Sequence, residues 1–453
     1  MSFERIYLIT IDCLRADCVG CIGGKRLTPN IDSLAKNSIV FTKAFANGPS
    51  TNQSFPAILT STYFLMHSRM QLLPYYTTIA EVLRNNGFKT AAFHSNPYLS
   101  KILGWNKGFD TFYDFMENNK AAIADFIRHK GSPLGRFFNL PSLISWVSKR
   151  LKIKGLLRKI HYTFPRLSLP FLEGELLNKK AMSWLKRNYD KKFFLWLHYM
   201  DSHYPYTPPE PYLTEFTSRK EAFLFNLSVD LEAISKEQVK ILKNLYLGTA
   251  RYVDANIGNL LNFLEKNELL EKSLILLMAD HGEAFTEHGI SAHPDNILYN
   301  EVLHVPLIIY GLNISAKLEF PVQLLDIPPM ITDILGFNKQ KNFLGESLLS
   351  QLENNNPSRP IFSESRKLNP FNLKYDPIKN AVSCLKYPYK IIFNELSGTT
   401  ELYNVEKDFR ETNDVSNSDT DSYKSLMALV KNHLNFIALK KKKIRLERIL
   451  SKR

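Results

Sequence analysis

The chain has 453 residues, 44% of them hydrophobic, and a formal net charge of +14. This length allows one large α/β domain with an appendage, or about two to three smaller domains, and the apolar content excludes a disordered or fibrous chain. The positive balance calls for an anionic partner, a phosphate-bearing substrate or a membrane surface; no nucleic acid is expected, because the sequence carries no signature for binding it.

Met1 leads straight into an apolar strand, Ile6–Ile11, which ends in Asp12. No secretory signal is expected. No later stretch reaches the roughly 18 apolar residues that span a bilayer. The expected location is cytoplasmic, with peripheral contact at the inner membrane face. Cys13, Cys18 and Cys21 crowd the loop that follows, and Cys384 stands alone. Cys18 and Cys21 have CxxC spacing, but no second pair completes a zinc knuckle. They read as small turn residues.

A helix is expected near Thr28–Ala35, with Thr28 as cap, Pro29 in the first turn and Ile31, Leu34 and Ala35 on one face. Residues 77–85 read as a second helix stopped by Gly87, and 89–94 as the next strand. The character changes over residues 120–175. Between Asp125 and Glu173 no acidic residue occurs, while Lys and Arg recur among Phe137, Phe138, Trp146 and Leu156. This insertion reads as basic amphipathic helices, either packed on the core or resting on anionic lipid.

The core pattern resumes at residue 178. Phe193–Tyr199 is a strand ending near Asp201 and His203, and a helix over 236–266 follows. Ser273–Met278 is a further buried strand, and Val305–Tyr310 another. A small C-terminal α+β part is expected over 351–415. A basic helical tail over 416–453, rich in Lys, reads as a solvated helix.

Asp280 and His281 stand at the C-terminal end of the strand Ser273–Met278, in the segment Ala279-Asp280-His281-Gly282-Glu283. Asp12 ends the first strand. Two strands that deliver carboxylates at the same edge suit one shared cation.

Five ordered segments carry a resemblance: Ile9–Asp17 with Asp12 and Arg15, Thr28–Leu34, Asp201-Ser202-His203, Asp280–Glu283, and Val305–Ile309. Together they resemble sulfatases of the alkaline phosphatase superfamily over roughly residues 4–415. Glu401–Asp408 is similar to that family's C-terminal strand and turn. The resemblance implies a doubly wound, mainly parallel α/β sheet with helices on both faces, filling residues 1–350, plus the small C-terminal subdomain.

In that family a Cys-x-Pro-Ser-Arg segment holds the nucleophile. The corresponding stretch here aligns Thr51 with the Cys and Ser54 with the Ser, and Phe55 replaces the Arg. The chain therefore lacks the cysteine that becomes formylglycine and resembles the threonine-nucleophile branch. A formylglycine hydrate expels sulfate by collapsing to the aldehyde. A threonine ester cannot, so a second in-line displacement by water or an alcohol is needed, which is ordinary for phosphoryl transfer. A phosphate ester is favoured, with a sulfate ester the alternative, on a glycan- or lipid-linked substrate.

The resemblance implies one divalent metal held by Asp12, Thr51, Asp280 and His281. Mn2+, Zn2+ or Mg2+ suits such mixed donors, and Ca2+ less so. Cys13 stands where many relatives carry a second Asp. His203 falls at a substrate-contacting position, and His293 where relatives carry a lysine, to contact the anionic group or protonate the leaving oxygen. Asn96 is expected to donate to the substrate, in place of the family's Lys-x-His. Ser50 is the rival nucleophile. His94, His288 and His304 are weaker candidates. Arg15 is expected to pair with Asp17. Two rival readings are a two-metal phosphodiesterase that recruits Asp201, His203 and His293, and an inactive membrane-associated binding protein.

Overall fold

The computed structural model describes residues 2–24, 27–67, 69–115, 171–229, 234–349, 352, 359–369, 374–395 and 397–450. The basic insertion expected over 120–175 lies almost wholly outside these residues. Among them no helix is long and apolar enough to cross a membrane.

Eight strands form one sheet: β1 (Arg5–Ile11), β2 (Ser38–Phe45), β3 (Lys89–Phe93), β4 (Thr111–Tyr113), β5 (Phe193–Tyr199), β6 (Ser273–Ala279), β9 (His304–Tyr310) and β10 (Ala316–Gln323), in the order β10-β2-β9-β6-β1-β5-β3-β4. A short hairpin, β7 (Ala284–Phe285) and β8 (Ser291–Ala292), stands apart from it. Only β9 runs against its neighbours. Strands β5 and β6 are buried along their whole length, as continuous apolar runs covered on both faces require.

Side-chain alternation shows that cover directly. Phe55, on the helix Thr51–Thr60, packs its ring on Trp196 and His198. Trp184, on the helix Gly174–Leu185, meets Phe193 instead. Residues 193 and 196 point to opposite faces of β5, so these two helices flank the sheet, and the doubly wound architecture follows.

The register sets the site. In the parallel pairings Ile11 lies opposite Ala279 on one side and Tyr199 on the other. The next residues, Asp12, Asp280 and Met200, therefore leave three adjacent central strands at one level.

Thr28 does hold the cap position of the helix Pro29–Ala35, but its hydroxyl is used elsewhere. It accepts from Gly20 N–H at 3.0 Å, and Asp254, from the long helix Lys236–Lys266, accepts the free N–H groups of Asn30 and Ile31. A carboxylate at a helix N-terminus serves the dipole as well as the hydrogen bonds.

Beyond residue 360, β11 (Ile361–Asn369), β12 (Lys374–Lys386), β13 (Tyr389–Asn394) and β14 (Thr399–Asn404) form an antiparallel meander. The helix Thr420–Leu450 lies against it, burying Leu426, Val430 and Ile437. The expected solvated tail is therefore docked over its first half. Its outer half exposes Leu439, Leu446 and Leu450.

Candidate active site

Thr51 is the first residue of its helix and sits at the C-terminal edge of the sheet. Its Oγ1 lies 3.2 Å from Asp12 Oδ2 and 3.5 Å from His281 Nε2. His281 Nε2 in turn lies 3.6 Å from Asp12 Oδ1 and 3.6 Å from Asp280 Oδ2. The four residues expected to share a cation thus converge, and all are buried.

Local chemistry holds them there. Ser202 Oγ donates to Asp12 O and Ser54 Oγ to Asp280 O, both at 2.6 Å, fixing the two strand ends. His281 Nδ1 donates to Gly282 O at 2.9 Å, which leaves the Nε2 lone pair facing the same space as the two carboxylates. Gly282 is required by its surroundings, since a Cβ there would lie 2.3 Å from Glu301 O.

The electrostatics are those of a cation site. Asp280 Oδ2 is buried with no hydrogen-bond partner, a costly condition for a carboxylate oxygen unless a cation faces it. Burial, then the charge of Asp12, pushes the Asp280 carboxyl well above its ordinary range. Burial would raise Asp12 too, but the His198 hydrogen bond and the neighbouring imidazoles hold it well below. Burial pushes His281 down to about 3, so it stands neutral, ready to act as a ligand. Carboxylate oxygens, an imidazole nitrogen and a hydroxyl fit a divalent ion such as Mn2+, Zn2+ or Mg2+.

His203 and His293 line the same mouth, with ring centroids 5.3 Å apart, and His293 is 4.5 Å from the His281 ring. Asn96 Nδ2 reaches Asp12 Oδ2 at 3.0 Å and Thr51 Oγ1 at 3.3 Å, so it orients the carboxylate as well as facing the reacting oxygen.

Other expected candidates lie elsewhere. Ser50 donates to Asn52. His94 is stacked on Trp196 inside the core. His304 contacts Thr42 O, and His288 is tied to Glu301 and Glu411 O. Asp201 receives the Gly174 N–H on both carboxylate oxygens at 3.0 Å, so it is committed to a helix start, not to a second cation. Arg15 pairs with Asp17 at 2.7 Å, as expected, and also with Glu287.

Sequence reasoning missed two residues. His198, in the middle of an apolar strand, puts Nε2 3.2 Å from Asp12 Oδ2. Its signal was there to read: an imidazole on a fully buried strand needs a partner. Glu283 is buried and holds His293 Nδ1 at 2.9 Å while accepting from Tyr206 OH.

Comparisons with known proteins agree with this arrangement. Residues 5–337 match the Sulfatase family model. Arylsulfatase K of Mus musculus is 25% identical over 365 residues, covering 75% of this chain, and the chain spans only 62% of that relative's length. The arylsulfatase of Clostridium perfringens is 23% identical over 92% of this chain and 90% of its own. The solved phosphonate monoester hydrolase of Agrobacterium radiobacter superposes with a TM-score of 0.69 at 18% identity, covering 97% of this chain and 96% of its own. The match spans the whole large sheet and every strand end that bears the site, and so the chain belongs to the sulfatase family, within the alkaline phosphatase superfamily.

Proposed function

We propose that this chain hydrolyses phosphate esters through a covalent intermediate on Thr51. One observation carries the reading: the Thr51 hydroxyl points into the buried carboxylate cluster, 3.2 Å from Asp12 Oδ2, at the start of a helix. A divalent cation held by Asp12, Asp280, His281 and Thr51 would lower the cost of deprotonating the hydroxyl and offset charge on the transferring group.

The chain's own groups supply the rest. The positive end of the helix Thr51–Thr60 faces the anionic ester. As Oγ1 bonds to phosphorus and the ester P–O bond breaks, the Thr51 proton passes by way of His293 at the mouth to the leaving oxygen. Asn96 holds Asp12 in place and faces Thr51 Oγ1. His203 and His293 stand at the open mouth, where they offset charge on the leaving oxygen. Water then attacks the phosphothreonine, and its proton passes to the Thr51 oxygen as that P–O bond breaks. A sulfate ester fits less well, because threonine cannot expel sulfate by forming an aldehyde.

The charge of +14, together with exposed Leu439 and Leu446 beside Lys440–Lys443 on the outer helix, supports a lipid- or glycan-linked substrate at an anionic membrane surface. Flotation with anionic liposomes checks this part; no enrichment over neutral liposomes would count against it.

The experiment for the catalytic reading is turnover of aryl phosphate monoesters, diesters, phosphonates and sulfates with added Mn2+. Activity on a phosphate ester should vanish in Thr51→Ala and partly survive in Thr51→Ser. Mass spectrometry of quenched reactions should find the phosphoryl group on the peptide bearing Thr51. Undiminished turnover by Thr51→Ala would overturn it.

A further inference from the structure

Cys13 lies in the cluster, and the reaction above gives it no task. It follows Asp12 directly and takes a left-handed backbone, φ 59°, which is rare for a residue with a side chain. That turn brings Sγ back to the site, 2.9 Å from Asp12 Oδ1 and 3.6 Å from His293 Nδ1. The turn is held from behind, where Tyr246 OH donates to Cys13 O at 2.8 Å. The thiol is fully buried, and burial with the nearby carboxylates pushes it well above its ordinary range. It is therefore no free thiolate nucleophile.

We propose that Cys13, His203 and His293 form a second metal site, for a soft divalent cation such as Zn2+, beside the one at Asp12 and Asp280. One ligand atom from each of the three residues lies within 4.8 Å of the others. Two anchoring contacts have the form that metal-binding histidines use. His203 Nδ1 donates to Tyr204 O at 2.6 Å, and His293 Nδ1 meets the buried Glu283 carboxylate at 2.9 Å. The first leaves His203 Nε2 unprotonated, and the second puts a carboxylate beside His293, which raises its basicity as a ligand. A thiolate and two imidazoles are a zinc donor set, and three protein ligands leave a fourth position for substrate. His293 remains partly open to solvent, at 18% side-chain exposure, so that position can be reached from outside.

The rival two-metal reading used Asp201, which here accepts the Gly174 N–H, and Cys13 stands in its place as a donor. This inference deepens the proposed function and rests on it for its place in the reaction. A cation held by Cys13, His203 and His293 would offset charge on the leaving oxygen of an in-line displacement, so the substrate class is a phosphate ester whose leaving oxygen meets the Cys13 site.

The test does not depend on turnover. The full chain is titrated with Co2+, reading ions bound per chain and the near-ultraviolet sulfur-to-cobalt absorption. Two ions and a sulfur band are expected. Cys13→Ser should remove the band and one ion, while the Cys18→Ser/Cys21→Ser double variant keeps both. Asp280→Asn should remove the other ion and leave the band. Glu283→Gln, which keeps the shape, should weaken binding of the band-forming ion by about 10–100-fold. If Cys13→Ser fails to fold, that Glu283→Gln shift still decides the matter. One ion with no band, a band that survives Cys13→Ser, or a band lost in Asp280→Asn would each overturn the second site. The last result would mean that Cys13 joins a single ion. None of these outcomes touches Thr51 as nucleophile, which the phosphopeptide tests separately.

Discussion

His198 Nε2 and Asp12 Oδ2 are 3.2 Å apart with both side chains wholly buried, on the same carboxylate oxygen that Thr51 and Asn96 reach. His198 Nδ1 is held in turn by Thr10 Oγ1 at 2.9 Å. The imidazole therefore acts on the reaction only through Asp12, as a positioning residue. His198→Ala should weaken binding of the cation at Asp12 and lower kcat, by about 10–100-fold each, with KM little changed. His198→Gln, which can still donate to Asp12, should recover part of both. Metal affinity and steady-state kinetics on the same preparations check this, and unchanged metal affinity in His198→Ala would remove the assigned role.

Gly282→Ala tests whether the Asp280–Glu283 turn is set by packing. The added methyl would meet Glu301 O at 2.3 Å, a backbone atom that cannot swing aside. The Gly282 N–H also donates to Val302 O at 2.7 Å, so the two segments cannot separate without losing that bond. A cost of about 1–3 kcal/mol in unfolding free energy is expected from overpacking, with weaker metal binding because His281 moves. Urea denaturation reads the first and metal titration the second.

The strands that carry Asp12 and Asp280 were legible because both are apolar runs ended by a polar residue. The helix expected over 236–266 is there, and in the structure Ser235 caps it with Gln238. The helix bearing Thr51 was not. All ten of its residues are buried and Pro56 lies inside it, so it shows neither an amphipathic stripe nor a clean helical composition. Strand β2 was passed over because Thr42 and Lys43 interrupt its apolar run, at the same place where its register with β9 shifts. Metal-motif reasoning pointed to candidate donors at strand ends but not to His198 or Glu283. Their roles come from pairings between segments distant in sequence, and local spacing carries no trace of those. Cys13 was read only as a missing carboxylate, because its direction depends on a backbone turn that composition does not reveal.

The C-terminal helix should be part of the folded unit. His433 Nε2 meets Glu364 Oε1 at 2.5 Å, and Glu364 Oε2 also accepts from Leu65 N–H at 2.6 Å. The His433 ring stacks on Phe362 at 3.9 Å. One buried carboxylate thus ties the C-terminal helix, the meander and the segment that follows the Thr51 helix together. His433→Ala leaves that carboxylate half unpaired and should cost about 3–5 kcal/mol. The Glu364→Gln/His433→Leu pair should cost less than the single change, because no charge is left behind. Thermal and urea unfolding of the three chains measure this; a single mutant as stable as the parent would show that the tail is only loosely attached.

Stability should fall at alkaline pH through His288. Burial pushes this imidazole down, but the Glu301 carboxylate at 2.7 Å and the Glu411 carbonyl at 2.9 Å outweigh it and raise the group to about 9. The ring also lies flat on Tyr299, 3.6 Å away. In the unfolded chain the same group titrates near ~6.5. The folded state therefore binds the proton more tightly. Its contribution is fully present below about pH 6.5 and is lost as pH rises through 9. The melting temperature should decline between pH 7 and 9. In His288→Gln, which keeps one donor but cannot carry charge, the starting value should be lower and the decline flatter. If the two chains show parallel profiles across that range, the titrating group is another one.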